Sequence, residues 1–468
     1  MKSYVLLAFL FVTSIVQAQI SFQKYYGDTS HFEYALGAQP VSTGGYIVAA
    51  SSDTGGSGQQ DICLMRTDAY GNMQWKKFFG SSVMDIGTCA TETNDGGFIL
   101  CGSWHAFGGD TMVVIKTDVN GNVQWMNWYK PDSDRWLGEY IIQTADGGYA
   151  IGGFTDHGGF FVNMVLFRLT STGTELWHKL YGGSSGNNDG LCVREVNGNG
   201  FVLSGTTTSS GHGGKDMWLV RTDANGDTLW TRTSGTSQDE QGEKVWMNSD
   251  GGFAVAGFEN FPGGDAILWR TDASGNTVWT RQYDDGGWEN AYGVQQTWDG
   301  GFAIAGRSDN AATPIQAWLI RTDANGTMLW DRKFPSGRLS DFYDLVETSD
   351  GGFILSGGRT DSTTYRSSIY LVKTGPAGYV NVNELYVPSH DDFSVFPNPA
   401  SEFSEMHFSA ALPGRRIRLS DMNGKILLDE ICDADFYRMN VADLANGIYI
   451  LSAISESGIS SKRIIVAH

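Results

Sequence analysis

Three features of the sequence predict an all-β protein. A text of about 51 residues recurs seven times, no helical period of useful length appears before residue 390, and the text changes character after residue 392. The recurrence is close to literal: RTDANGDTLWTR at 221–232 returns as RTDASGNTVWTR at 270–281 and RTDANGTMLWDR at 321–332. A second marker, Asp-Gly-Gly-Phe or a near relative, alternates with it. Its last glycines are Gly45, Gly97, Gly148, Gly200, Gly252, Gly301 and Gly352, at steps of 52, 51, 52, 52, 49 and 51. Tryptophan keeps the same interval at Trp75, Trp125, Trp177, Trp230, Trp279 and Trp330. A catalytic motif is needed once, so a string written this often reports architecture.

Each unit breaks into four short segments, in the second unit 87–93, 97–104, 111–118 and 122–129. They are rich in β-branched and aromatic residues, which suit strands. Asp-Gly-Gly supplies a tight hairpin between the first two segments, and Asp-x-Asn-Gly another between the last two. The second segment (GFILSG, GFAVAG) is apolar without alternation, so both its faces are covered. Sheets with two apolar faces must lean on one another, and seven of them predict a seven-bladed β-propeller over 19–385. The tryptophan of each fourth strand is expected to pack on the neighbouring blade. A basic residue precedes each Asp-x-Asn-Gly turn or its equivalent, at Arg66, Lys116, Arg168, Arg221, Arg270, Arg321 and Lys373, and its presence in every unit marks it as structural. The turns themselves are not EF-hands: counted from Asp223, position twelve is Ser234 rather than glutamate.

The ring needs a closure. FQKYYG at 22–27 matches the fourth-strand text WKKFFG at 75–80, with Phe22 in the tryptophan position. The last unit reaches its third strand at 368–374 and then degenerates. Residues 20–26 are therefore expected to complete the last blade; the rival is a fourth strand at 379–384. GFILSGG at 352–358 and RTDANGDTLW at 221–230 resemble the layout of kelch-type propellers. The units look closer still to propeller repeats of exported Bacteroidetes proteins, a likeness that implies fold more than function.

A polar linker at 386–392 leads into a different text, FSVFPNPASEF, IRLSDMNGKILL, VADLANGIYIL and SSKRIIVAH, whose strands and Asn-Gly turns predict a small Ig-like β-sandwich over 393–468. Four of its strings resemble the C-terminal sorting domain of the type IX (Por) secretion system: Pro397-Asn398-Pro399-Ala400, Asn423-Gly424-Lys425, Asn446-Gly447-Ile448-Tyr449 and Lys462-Arg463-Ile464-Ile465-Val466. The resemblance implies recognition by an outer-membrane translocon and a sorting peptidase, with the cargo released or anchored at the cell surface. The other end fits that route. Residues 1–18 place one lysine before an apolar run, with small residues at Val16 and Ala18, which reads as a secretory signal peptide. No later stretch is long and apolar enough to predict a membrane span.

Formal net charge is −20. Residues 393–468 carry 9 Asp/Glu and 7 Lys/Arg, so the acidic excess lies in the first part of the chain. Such a surface repels phosphate backbones, which argues against nucleic acid and anionic membrane as partners. Cys63, Cys89, Cys101 and Cys192 read as small buried hydrophobes, although Cys89 and Cys101 flank one hairpin symmetrically and could be bridged.

Function in a propeller is expected on the face carrying the loops between second and third strands and between blades. Aromatics fall there at Trp104, Phe107, Trp136, Phe160, Phe161, Phe261 and Trp288. Carboxylates fall there at Asp61, Asp110, Asp216 and Asp265 before third strands, and at Asp85, Asp134, Asp189, Asp239 and Asp341 between blades. Aromatic plates beside carboxylates suit sugar rings, so Trp104, Trp136, Trp288, Asp61, Asp110, Asp216 and Asp265 are the ligand-binding candidates. His105, His157 and His212 occupy consecutive blades, but nothing fixes their spacing and no metal or cofactor is expected. No nucleophile motif or phosphate loop stands out. The reading is an exported binding scaffold for a glycan or protein, with a polysaccharide-active enzyme and a structural or adhesive surface protein as alternatives.

Overall fold

The computed structural model describes residues 20–380 and 393–468, apart from 28–29, 56–58, 107–108, 160, 184, 260–263, 311–313, 336, 409–413, 422–425 and 456–457. The signal-peptide segment, the linker, Phe107, Phe160, Phe261, Gly424 and Lys425 lie outside the described residues. The chain divides into two compact units, Met1–Asn381 and Val382–His468.

The first unit contains seven antiparallel four-stranded sheets. Blade 1 runs Glu33–Pro40, Tyr46–Ser52, Asp61–Thr67 and Met73–Phe79. Blades 2 to 6 repeat the pattern over 85–129, 135–181, 188–234, 240–283 and 287–334. Blade 7 is made of Leu339–Glu347, Phe353–Thr360 and Ser367–Lys373, and its fourth strand is Phe22–Tyr26 from the start of the chain. Phe22 stands opposite Lys373 and Tyr26 opposite Ile369. First strands of successive blades touch one another, including those of blades 7 and 1, so they line the axis and the fourth strands lie outside. The second and third strands of blade 1 are buried along their whole length, as sheets covered on both faces require.

The repeated text builds one junction seven times. Each outer-strand aromatic lies against the first aromatic of the next blade's second strand: Trp75 on Phe98, Trp125 on Tyr149, Trp177 on Phe201, Trp230 on Phe253, Trp279 on Phe302, Trp330 on Phe353, and Phe22 on Tyr46. The same rings cover the Asp-x-Asn-Gly turn of that blade. A Cβ on Gly121 would lie 2.8 Å from the Trp75 ring, and one on Gly71 would lie 2.7 Å from Phe22. Glycine is demanded there twice, by a positive φ (75° and 72°) and by the ring. Where the outer strand ends in tyrosine, the hydroxyl donates to that glycine's carbonyl: Tyr26 to Gly71 at 2.5 Å, Tyr181 to Gly226 at 2.7 Å, Tyr283 to Gly326 at 2.9 Å.

The basic residue of each third strand ties down the hairpin of its own blade. Lys116 donates to Asp95 Oδ2 at 2.9 Å and to the Thr117 carbonyl. Arg168, Arg270, Arg321 and Lys373 reach Asp146, Asp250, Asp299 and Asp350, whereas Arg66 and Arg221 reach the carbonyls of Gly44 and Asn199. The Thr144 hydroxyl and Arg168 hold the Asp146 carboxyl down at about 2. The five cysteines are buried and unbridged, with Cys89 directly opposite Cys101.

The second unit pairs a three-stranded sheet (Phe393–Phe396, Phe403–Phe408, Phe436–Asn440) with a four-stranded one (Ile426–Ile431, Arg416–Asp421, Gly447–Ser455, Gly458–Val466). Met406, Ile417, Leu419, Met439, Leu451, Ile464 and Val466 fill the space between them.

Because Phe22 and Tyr26 share one apolar cluster with Ile354, Ile369 and Leu371 of blade 7 and with Tyr46, Val48 and Met65 of blade 1, removing them opens the ring. Deletion of 20–27 is expected to lower the thermal midpoint more than any single outer-strand Trp→Ala change. Phe22→Ala alone should destabilise by about 3–5 kcal/mol. Thermal unfolding of the deletion beside the Trp→Ala variants checks the first, and denaturant unfolding of Phe22→Ala the second.

Candidate functional site

Two ends of the propeller differ in chemistry. One carries the hairpin turns, which repeat from blade to blade. The other carries the loops between second and third strands and between blades, and these vary in length and composition. On that variable face the seven candidates separate. Trp288 is 40% exposed and Trp104 half-buried, its ring edge on Trp128 at 5.6 Å. Trp136 is not an open plate: it is 1% exposed, wedged against Phe167 and His178, and its indole N–H donates to Asp132 Oδ1 at 2.8 Å.

Asp61, Asp110 and Asp216 are also buried, which is a correction to their reading as loop-face groups. In blades 1, 2 and 4 the wedge between neighbouring blades encloses the start of the third strand, so these carboxylates belong to the packing. Asp110 pairs with His105 at 3.0 Å and with Arg135. Asp216 accepts from the His212 amide at 3.1 Å. Asp265 is half-buried and remains reachable from solvent. His157 pairs with Asp134 and stacks on Phe161 at 4.2 Å, so His105 and His157 are each engaged locally. The three histidines do not converge on one point among the described residues.

Two features were not legible in the sequence. The first is the axial channel. Every innermost strand carries a β-bulge, and the displaced residues are Leu36, Thr88, Glu139, Leu191, Glu243 with Lys244, Tyr292 and Tyr343. Lys244 extends to Asp344 at 3.0 Å and to the Tyr343 carbonyl at 3.0 Å, bridging blade 5 to blade 7. Burial, followed by the charge of Asp189, pushes the Glu139 carboxyl up to about 7. Burial, opposed by Lys244 and reinforced by Glu139, pushes Glu243 up to about 8.

The second is a groove of about 690 Å³ on the loop face between blades 6 and 7. Asp309, Pro314, Ile315, Arg338, Thr360 and Tyr365 are among its lining residues, and Trp288 stands directly opposite Asp309 across the first two strands of blade 6. Tyr365 is 57% exposed and adopts φ +58°, a conformation that tyrosine rarely takes. Its turn is fixed by Asp361, whose Oδ1 accepts from the Thr363 amide at 2.8 Å and the Thr364 amide at 3.0 Å. The Arg338 guanidinium covers the Tyr365 ring at 4.4 Å from its centroid. No sequence signal marks this groove, because its walls come from three loops that share no repeated text.

In the second unit the structure gathers three of the four sorting strings. Gly447 pairs with Val466 and Tyr449 with Ile464. Asn398 Oδ1 accepts from the Ile465 amide, and the Ala400 amide donates to the Ile465 carbonyl, both at 2.8 Å. Pro397 accepts from the Ser404 hydroxyl at 2.9 Å, and the Tyr449 hydroxyl donates to the Ala445 carbonyl at 2.8 Å. Pro399 lies between these anchors, Lys462 is exposed, and Arg463 lies on the last strand.

The channel carboxyls make stability depend on pH. Their folded values lie above the unfolded one, so the stability they contribute is complete below about pH 4.5 and is lost as pH rises through 7 to 8. The thermal midpoint is expected to fall between pH 5 and pH 8. Glu243→Gln should flatten that fall and raise the midpoint at pH 8 by about 1–2 °C, as roughly 1 kcal/mol does in a propeller of this size.

Residues 394–467 match the secretion system C-terminal sorting domain. No curated protein matches the chain. Solved structures resemble it at low identity. A polysaccharide lyase of family PL25, an ulvan lyase, aligns over 76% of this chain and 97% of its own at 10% identity and TM-score 0.51. PorZ, an essential surface component of the type IX secretion system of Porphyromonas gingivalis, aligns over 91% of this chain and 69% of its own at 11% identity and TM-score 0.39. A puromycin hydrolase aligns over 82% of this chain at 13% identity and TM-score 0.48, and this chain spans 59% of its length. The likeness to the lyase is one of fold, and the sorting domain is a match of sequence. The chain is thus a β-propeller protein carrying a C-terminal type IX sorting domain, exported to the cell surface or beyond it.

Proposed function

We propose that the propeller is a binding scaffold that engages a glycan or a protein segment in the groove between blades 6 and 7. The observation that carries this is Tyr365. An exposed ring held at positive φ by a dedicated Asp361 turn is strain kept at a surface, and such strain concentrates at ligand clamps. Tyr365, Ile315 and Pro314 offer an apolar strip, while Asp309, Arg338, Thr360 and Ser362 offer hydrogen-bonding groups along it. A sugar ring presents the same alternation of C–H faces and hydroxyls, as does a short amphipathic peptide. The groove is open at the surface, so it suits part of a longer chain.

Export puts that groove outside the cell, facing polymers rather than metabolites. The sorting domain would be read by the outer-membrane translocon and cut by the sorting peptidase, leaving the propeller as the working part. A cross-strand pair of exposed isoleucines, Ile448 and Ile465 (40% and 42% exposed), supplies an apolar contact on that domain.

Two measurements test the reading. On a glycan array complemented by a peptide library, the full chain should select ligands that Tyr365→Ala binds at least tenfold more weakly, at unchanged thermal midpoint. Ligands bound equally by the variant would place recognition elsewhere. A reporter carrying 386–468 should leave the periplasm of a type IX-competent host, and Asn398→Ala, which removes the tie to Ile465, should reduce that export. Retention of the reporter with the intact segment would overturn the sorting role.

A further inference from the structure

We propose that the junction of blades 5 and 6 holds a calcium-sized divalent cation between Asp265, Asp284 and Glu289. Carboxylate oxygens of the three residues all lie within 4.8 Å of one another. A calcium ion takes oxygen ligands at about 2.3–2.6 Å, so ligands on opposite sides of one ion are about 4.6–5.2 Å apart. An all-carboxylate donor set is hard, which excludes the thiolate- and imidazole-seeking metals.

The repeat shows what is unusual here. At each junction three positions meet: the start of a third strand, the residue that follows the outer strand, and the opening of the next innermost strand. The residue after the outer strand is Gly27, Gly80, Gly182 or Gly235 at four junctions, Lys130 or Pro335 at two, and Asp284 at this one. At Gly80 and Gly235 even a Cβ would collide with the carboxylates beside them. Blade 5 thus adds a third carboxylate at the position where other junctions leave room for two polar groups.

Several other junctions set a cation or hydrogen-bond donors against at least one oxygen of the equivalent carboxylate. Glu33 is paired with Lys76 at 2.6 Å and accepts from Ser52 and Thr54. Asp85 accepts from the amides of Ser81 and His105 at 2.6 and 2.8 Å. Glu240 accepts from the Thr236 amide at 3.0 Å and its hydroxyl at 2.5 Å. The junction of blades 3 and 4 uses neutral amides, Asn163 and Asn188. Glu289 is approached only by the Asp285 backbone amide, four residues upstream as at Asp85 and Glu240, and has no paired cation or side-chain donor among the described residues. It is 0% exposed, and neither of its carboxylate oxygens has a hydrogen-bond partner of regular geometry among the described residues. Lys333, on the outer strand of the same blade, is paired with Asp285. A buried carboxylate left without a counter-charge is strongly unfavourable. Asp265, half-buried, and Asp284, exposed, leave the cluster open to solvent, so an ion can enter and complete its shell with water. The Glu289 amide donates to the Gly264 carbonyl at 3.0 Å, which locks the loop carrying Asp265 against the strand carrying Glu289. The ion would therefore clamp two blades beside the variable face. This site is separate from the groove between blades 6 and 7 and does not depend on it.

The test uses the full chain, stripped with a chelator and titrated with calcium alone. One ion per chain is expected by equilibrium dialysis with metal analysis, together with a rise of about 5 °C or more in thermal midpoint at saturation. Asp284→Gly restores the residue found at four other junctions and so should fold; it should bind at least tenfold more weakly. Glu289→Gln should abolish the calcium response and, in chelator, melt higher than the unsubstituted chain because the unanswered charge is gone. Stoichiometric binding that survives both substitutions would place the ion elsewhere and overturn the assignment. A midpoint indifferent to calcium in the unsubstituted chain would overturn it too, leaving Glu289 to carry a proton instead.

Discussion

The contact on which the whole propeller rests is the outer-strand aromatic laid over the turn glycine of the next blade. A four-stranded sheet with two apolar faces is unstable alone, since each face exposes several fully buried side chains' worth of hydrocarbon. Neighbouring blades cover those faces, but flat apolar faces can slide. The aromatic fixes register, because its ring fits only where a glycine in positive φ removes the Cβ that would otherwise fill the space. The tyrosine hydroxyl that reaches the same glycine's carbonyl adds direction to the fit. The contact is heterologous, each blade offering a ring on one side and a glycine on the other. Such contacts make an open stack unless the rotation closes, and Phe22 meeting both Tyr46 and Gly71 is the closure.

The second fixed element is the basic residue of each third strand. Its charge is carried into a buried place, 2–9% exposed, and is answered by the hairpin aspartate or by backbone carbonyls. The second glycine of Asp-Gly-Gly explains itself here. A Cβ on Gly97 would meet the Thr117 carbonyl and the Lys116 ammonium, so that glycine serves close approach, while the positive φ of the turn falls on Gly96. Two adjacent glycines thus do different physical jobs.

These repeated constraints explain what could be read from the sequence and what could not. The aromatic, the paired glycines and the basic residue recur because geometry demands them in every blade, so period, strand order and the orphan strand at 22–27 were all visible as text. The carboxylates misled for the same reason in reverse. Asp61 and Asp216 stand beside variable loops in the sequence, and only the wedge shape of the junction shows that a third-strand start is enclosed. Trp136 occupies the junction position that holds Glu33, Asp85, Glu240 or Glu289 in other blades, which is why its ring is inside. The channel was hidden because a one-residue bulge leaves no mark in composition, yet it turns Glu139 and Tyr343 toward the axis.

Departure from the repeat is the better guide to function in a molecule built this way. A residue present in seven blades answers a demand of the ring, whereas a residue present once answers something else. Tyr365 holds an unfavourable backbone angle in a loop whose equivalents are built differently, and the ring gains nothing visible from it. Asp284 replaces a glycine whose absence elsewhere would be a collision, and it adds a carboxylate beside a buried one that has no paired cation among the described residues. Neither feature recurs at the other blades, and each holds a group in an unfavourable state, a tyrosine at positive φ and a buried carboxylate with no cation beside it. A ligand in the groove and a cation at the junction are the two agents that would offset them, because binding free energy is released only where the uncomplexed protein holds groups it cannot satisfy alone.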